Sequence, residues 1–201
     1  MAVRLIRKLA AYALAAALGA AGALLYGEIH GVQALHGRVE AAWSNIVYRY
    51  GERASTVLAF ASVVKAAGGS GTATLENAVT ALAAIPCPEE PNDRNAFRHW
   101  EQAEINVSVA LADFFRSEPG GGDLRRDGNY AMALSRLEGT ESGINEAVGR
   151  YNQAVVGYDD GTAKGPPAWI SAVLDPGAAQ WEAFTAFPDY GPLDDKKQDN
   201  D

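Results

Sequence analysis

Glu104 and Glu141 are the two residues of this sequence whose surroundings could do chemistry. Each is a carboxylate set in an otherwise apolar helical stripe. A carboxyl held away from water has a displaced pKa, which is what a general acid or base requires. The same placement serves a structural ion pair with arginine, the commoner way in which buried charge is compensated. Arg53 interrupts an apolar seam in the same manner and is the natural partner. The other reactive residues combine poorly. His30 and His36 are six positions apart on different helix faces, His99 stands alone, and no HExxH or similar ligand spacing occurs. Cys87, the single cysteine, lies between two prolines with no base beside it, and one thiol makes neither an intramolecular disulfide nor a zinc site of several thiolates. Gly68-Gly69-Ser70-Gly71-Thr72 is neither a nucleophile elbow nor a phosphate loop. Asn106-Val107-Ser108 matches a glycosylation acceptor but falls inside a helical stripe. From these residues we expect no catalytic group, no metal and no cofactor.

The elements that position these residues are helical. The 201 residues, 48% hydrophobic and 21% charged, suit one globular domain. A net charge of −8, from 17 basic and 25 acidic residues, argues against nucleic acid as a partner. Leu25, Ile29, Val32, His36, Val39, Trp43, Ile46, Tyr50, Arg53, Val57, Phe60 and Val64 recur at alternating spacings of four and three. That is a heptad seam, and it predicts a helix to about Ala67, ended by the glycine cluster that follows. Thr72 or Thr74 is expected to cap a second helix running to Ile85, which Pro86, Pro88 and Pro91 stop. Asn92 or Asp93 should cap a third, to about Ser117, with Phe97, Trp100, Glu104, Val107, Leu111 and Phe114 as its stripe. A fourth is predicted from about Leu124 to Tyr158, irregular at Gly128, with Leu134, Leu137, Glu141, Ile144, Val148, Tyr151, Val155 and Tyr158 in register. Short helices are expected at Pro167–Val173 and Ala178–Ala186, with Trp169, Trp181, Phe184 and Phe187 packing on the bundle. The tail, 193–201, is Asp- and Lys-rich and should be disordered. No strand signal and no internal repeat is apparent.

Leu9 to Tyr26 is a run of 18 residues without a charged or strongly polar side chain. About 20 apolar residues span a bilayer as a helix. Arg4, Arg7 and Lys8 precede the run and Glu28 follows it, so the N-terminus should face the cytoplasm and the rest lie outside it. Tyr12 and Tyr26 sit near the two ends, where amphipathic rings are favoured. A cleaved signal peptide is the rival, with Ala21-Gly22-Ala23 as the cleavage site. The helical pattern running on unbroken through Tyr26 favours an uncleaved anchor, and no cysteine lies near for a lipid anchor. All acidic residues fall after Gly27, so the remainder should be held off an anionic membrane surface. The organisation expected is therefore a basic cytoplasmic N-terminus (1–8), a transmembrane helix (9–26), a helical bundle (27–160), a proline-rich segment (161–192) and the acidic tail (193–201).

Two separated motifs then carry a family resemblance. Ala42-Trp43-Ser44-Asn45-Ile46 resembles the AWSxI motif of LemA-family proteins. Leu137-Glu138-Gly139-Thr140-Glu141, followed by Arg150-Tyr151-Asn152-Gln153-Ala154-Val155, resembles that family's LEGTE and RYN.AV stretch, in the same order and spacing. The resemblance spans roughly residues 20–190. It implies an all-α, membrane-anchored bacterial protein in a family with no assigned catalytic residues. One branch of the family serves magnetosome membranes, and others occur beside membrane proteins of the TPM-domain or metallopeptidase kind. The chain departs from the family where Glu52 to Leu58 replace its usual Arg-Arg…Asp-Leu-Ile-Pro-Asn-Leu segment, and from Pro86 to Gly122. The motif positions Trp43, Ser44, Glu138, Gly139, Glu141, Tyr151 and Asn152, with the seam residues Arg53 and Glu104, are thus expected to be structural.

The fold class expected is all-α: an N-terminal transmembrane helix continuing into a long antiparallel bundle of three or four helices. The function expected is that of a scaffold or adaptor facing the extracytoplasmic side of the bacterial inner membrane. Its partners would be the bilayer, through residues 9–26, and another membrane or envelope protein, with a homo-oligomer as a further form. An accessory subunit or weak hydrolase using Glu104 and Glu141, or a periplasmic protein freed by signal cleavage, are the alternatives. In the antiparallel order Glu141 falls near the height of Arg49 to Arg53, so Arg53 and Glu141 should pair, with Arg49–Glu141 or Arg53–Glu104 as alternatives. The protein should stay in the membrane fraction through carbonate and high-salt washes, because salt does not displace a buried apolar helix. Intact-mass measurement checks the anchor: a mature chain starting at Leu24 would show a cleaved signal.

Overall fold

The structure, a computed structural model, describes residues 2–117, 124–164 and 181–185, and every regular element among them is helical. Helix α1 (Ala2–Ala66) is one unbroken rod of about 97 Å at the α-helical rise. The predicted transmembrane segment and the first bundle helix are the same helix. Its seam is buried where the bundle begins: Val32, Val39, Trp43, Ile46, Tyr50, Arg53, Val57, Phe60 and Val64 are all interior. From Tyr12 to Glu28 nothing covers it, and Leu14, Leu18 and Leu24 are each more than 60% exposed. By length and composition this helix can cross a membrane, which is compatible with single-pass anchoring.

Glycine ends α1 as predicted. Gly68, at φ 77°, donates its N–H to Lys65 O, and Gly69 donates to Val64 O, the paired bonds of a Schellman cap. A Cβ on Gly69 would fall 2.5 Å from Val64 Cγ1, so the turn tolerates no larger residue there. Helix α2 (Thr72–Ala83) corrects the expected cap. Neither Thr72 nor Thr74 caps it; Gly71 holds the cap position at φ 84° with no side-chain bond, and Thr72 is buried instead. The tight turn needs a left-handed residue at its last position, and glycine adopts that conformation without steric cost.

Helix α3 (Arg94–Ser117) begins where Asp93 Oδ1 accepts the N–H groups of Asn95 and Ala96. A 3₁₀ turn, Leu124–Arg126, precedes α4 (Gly128–Lys164), whose start is fixed by Asp127 Oδ1 accepting from Asn129 and Tyr130. The irregularity expected at Gly128 is therefore a break with its own cap, and α4 continues past the expected end at Tyr158. All six residues of the α3 stripe are buried, as are Leu137, Ile144, Val148, Tyr151, Val155 and Tyr158 of α4. The expected helix at Ala178–Ala186 is not present over 181–185, where the chain has no helical turn. Pro167–Val173, Trp169, Phe187 and the tail from 193 lie outside the described residues.

The helices alternate in direction. Side-chain pairs set the heights: Lys65 with Glu76 near the top of α1, Trp43 with Glu89 lower down, Trp43 beside Phe97, Phe60 beside Phe114, and Arg53 with Glu141. So α2 descends, α3 rises parallel to α1, and α4 descends along it. Between α2 and α3 the chain passes through turns and bends, with residues 86–88 free of either. Replacing Asp127 by alanine should lower unfolding stability by about 1 kcal/mol, the usual worth of an N-cap. Thr74→Ala, which loses no cap, should change it by less than about 0.5 kcal/mol. Urea unfolding followed by helical circular dichroism measures both.

Candidate functional site

Two interior arrangements gather the polar and aromatic residues. The first surrounds Arg53, which is 1% exposed. Its Nε and one terminal nitrogen donate to the two oxygens of Glu141 at 2.7 and 3.0 Å, a bidentate pair. That second nitrogen also donates to Ser108 Oγ. The other terminal nitrogen donates to Glu104 Oε2 at 3.2 Å and to the Glu104 carbonyl at 3.0 Å. The expected Arg53–Glu141 pair and its Arg53–Glu104 alternative thus exist together. Arg49 joins neither: it pairs with Glu52 and lies along Gly143, where a Cβ would sit 3.4 Å from its guanidinium.

One guanidinium neutralises one carboxylate, and the bidentate geometry belongs to Glu141. Burial pushes the Glu104 carboxyl up to about 7; Arg53 opposes the rise, and the nearby Glu141 charge adds to it. Glu104 therefore holds a proton up to neutral pH, which leaves the cluster without net charge. Burial, with a smaller contribution from Glu104, likewise raises the Cys87 thiol to about 11 and keeps it protonated.

The second arrangement lies lower on the bundle. Trp43, Tyr50, Phe97, Trp100 and Tyr151, from α1, α3 and α4, form an aromatic cradle around Phe184, with ring centroids 5.0 to 6.5 Å from it. Phe184 belongs to the strap Trp181–Thr185. Asn152 brackets it in both directions, its Oδ1 accepting the Phe184 N–H at 3.0 Å and its Nδ2 donating to the Phe184 carbonyl at 3.2 Å. The Tyr151 hydroxyl donates to the Glu182 carbonyl, and the Glu182 N–H donates to Pro91 O. The Glu182 carboxylate takes Arg94 at 2.6 Å and Arg98 at 2.8 Å. Burial works against that charge, but the bonds and charges of the two arginines hold it below the usual carboxylate range. Glu101 completes the row, pairing with Arg98 and accepting from Thr185.

The motif residues divide by exposure. Trp43 is buried and also donates its Nε1 H to Glu89 O, which pins the connection between α2 and α3. Tyr151 and Asn152 hold the strap, and Glu141 holds Arg53. Ser44, Glu138 and Gly139 are exposed, and nothing lies within 4 Å of a Cβ placed on Gly139. His36 pairs with Glu40 and packs its ring edge-on against Trp181. Among the described residues no group of three or more His, Cys, Asp and Glu is placed to hold a metal ion. Trp181 and Phe184 pack on the bundle as expected. The roles of Glu182, Glu101, Arg94 and Arg98 are additions from the structure. The alternation in Trp181-Glu182-Ala183-Phe184-Thr185 is the signal that could have shown an extended segment.

A long helix with an uncovered apolar stretch, a helical bundle closed around one arginine and a strapped aromatic cradle define the class: an all-α protein with, among the described residues, one candidate membrane helix. The LemA family matches residues 42–189, and the chain belongs to that family. No curated protein matches the sequence.

Glu104→Gln mimics the protonated carboxyl and tests the charge assignment. A pKa raised from 4.5 to about 7 stabilises the fold below the unfolded value, and that stability is lost as pH rises to about 7. The loss is at most about 1.4 kcal/mol per pH unit. The variant should match the wild type near pH 4.5 and exceed it at pH 8 in thermal unfolding midpoint. Arg53→Met and Glu141→Leu should each cost about 3 kcal/mol, the typical cost of stranding a buried charge. The double variant should recover more of that loss at pH 5 than at pH 8, because Glu104 remains and can be protonated. Strictly additive losses at both pH values would contradict the geometry.

Proposed function

We propose that this LemA-family chain is a membrane-anchored, non-enzymatic adaptor of the bacterial cell envelope. It inserts through residues 9–26 with its N-terminus in the cytoplasm and stands its bundle on the extracytoplasmic side of the inner membrane. There it presents helical faces to another membrane or envelope protein. The observation that carries this reading is the use made of the two interior carboxylates. Glu104 and Glu141, the candidates for acid–base work, are both bound to Arg53, and Glu104 is 2% exposed. A general base must reach the proton it removes, and these groups face a guanidinium inside a packed bundle. The uncovered apolar stretch of α1 supports the anchor, since a soluble protein rarely exposes so long a run of large apolar side chains. The acidic balance of the rest supports a bundle that stands clear of anionic headgroups.

The bundle offers at least one concave face. A shallow groove of about 470 Å³ runs between α1 and α4, with Ala41, Ala42 and Ala154 in its lining and Arg38 and Arg150 along it. Small residues let a partner helix approach closely. Affinity capture from detergent-solubilised membranes tests the adaptor function. A reproducible, stoichiometric partner is expected, and its recovery should survive Glu104→Gln and Glu141→Gln wherever these variants remain folded. Failure to capture any partner, together with a hydrolytic turnover lost in Glu141→Gln, would assign an enzyme instead.

A further inference from the structure

The strap Trp181–Thr185 is held as a bound peptide is held. It has no regular secondary structure, and its main chain bonds to distant parts of the chain: Glu182 N–H to Pro91 O, Glu182 O from Tyr151, Phe184 on both sides to Asn152, and Thr185 N–H to Glu101. Side chains alternate, with Glu182 and Phe184 buried, Trp181 and Ala183 half-buried and Thr185 exposed. Extended-peptide recognition has this form: main-chain bonds give affinity, and pockets for alternate side chains give specificity. The pockets here are distinct in chemistry. One is the aromatic cradle; the other is the pair Arg94 and Arg98, 74% and 37% exposed, set at the rim to meet a carboxylate.

The groove does not depend on the strap for its walls. Apart from Pro91, in the turn before α3, its residues stand on α1, α3 and α4, which are tied to one another by the Arg53 cluster and by the seam above it. Sixteen residues, 165–180, separate α4 from the strap, enough chain to keep a released strap near its groove.

We propose that this groove is a peptide-recognition site whose resident ligand is the chain's own strap. Its exchange partner is an envelope protein presenting an extended segment with a carboxylate two residues before an aromatic ring. The identity of the partner as a protein rests on the adaptor reading; the ability of the groove to take a peptide in trans does not.

The probe is a fluorescently labelled peptide of sequence 179–187, titrated onto the full chain in detergent micelles. Phe184→Ala, which weakens the resident strap, should bind it at least about tenfold more tightly than the wild type, since the competing internal ligand is removed. Adding Asn152→Ala, or replacing the peptide's phenylalanine by alanine, should weaken binding by about tenfold or more. Hydrogen exchange of the wild type gives a second readout, with the Phe184 and Thr185 amides exchanging far faster than the core amides of α3 and α4. A folded Phe184→Ala chain that binds the peptide no better than a scrambled one overturns the proposal. So does strap exchange that occurs only with global unfolding, which keeps the test decisive if Phe184→Ala does not fold. A wild-type dimer that the peptide converts to monomer would give the groove to the strap of a second copy and overturn the partner assigned here. Peptide binding without any captured membrane partner would leave the groove standing and remove the adaptor function.

Discussion

A guanidinium cannot be left alone in an apolar interior, and the middle of this bundle is arranged around that constraint. Arg53 is fully charged at any physiological pH and almost wholly buried. Its donors fan out to α3 and α4 at once, through Glu104, Ser108 and Glu141. A slip of α3 or α4 by one turn, about 5.4 Å, would leave that charge facing apolar side chains. The cluster therefore sets the relative height of three helices, a use of buried polar groups well documented in coiled coils. Above it Phe60, Phe114, Phe115 and Tyr130 pack as rings on rings. Below it the register delivers Trp43, Trp100 and Tyr151 to one level, and the cradle for Phe184 follows from that alignment.

The two acidic clusters answer to pH in opposite senses. Glu104 is raised by burial beside a carboxylate that already has the arginine's bidentate bond, so its contribution to stability is present at low pH and fades towards neutrality. Glu182 is lowered by two arginines, so its contribution is present above the ordinary carboxylate range and is lost as the medium acidifies. Acid thus tightens the centre of the bundle and loosens the strap. The strap and the scaffold are separable in chemistry as well as in position, which is the condition for one to be exchanged while the other holds.

Family membership acquires physical content from the same geometry. The tryptophan of the first motif closes on Glu89, between the prolines after α2, and on the cradle; in the second motif Glu141 holds Arg53, and Tyr151 and Asn152 bind the strap. These are contacts between distant parts of the chain, and in each the motif residue contributes a polar group to its partner. Ser44, Glu138 and Gly139 are exposed and have no such contact among the described residues, and the structure gives no reason for their residue types.

The helical seams, the breaks between them and the pairing of Arg53 with Glu141 were legible in the residues, because period and polarity are local properties. An apolar residue every three or four positions declares a buried face, glycine and proline declare ends, and a charge inside a seam declares that a partner exists. The antiparallel order followed from short connections, and it placed that partner at the right height. The structure alone decided how many partners Arg53 has, since Glu104 and Glu141 are brought to it by packing between helices that no spacing records. It also decided the form of residues 181–185. Two aromatic rings and an acid suit a short helix as well as a strap, and what selects the strap is a row of acceptors and donors on Pro91, Glu101, Tyr151 and Asn152, up to about ninety positions away along the chain. Sequence by itself determined which faces had to be buried; the tertiary structure determined what each buried polar group meets there, because that depends on side chains converging from elements whose relative placement is not a local property.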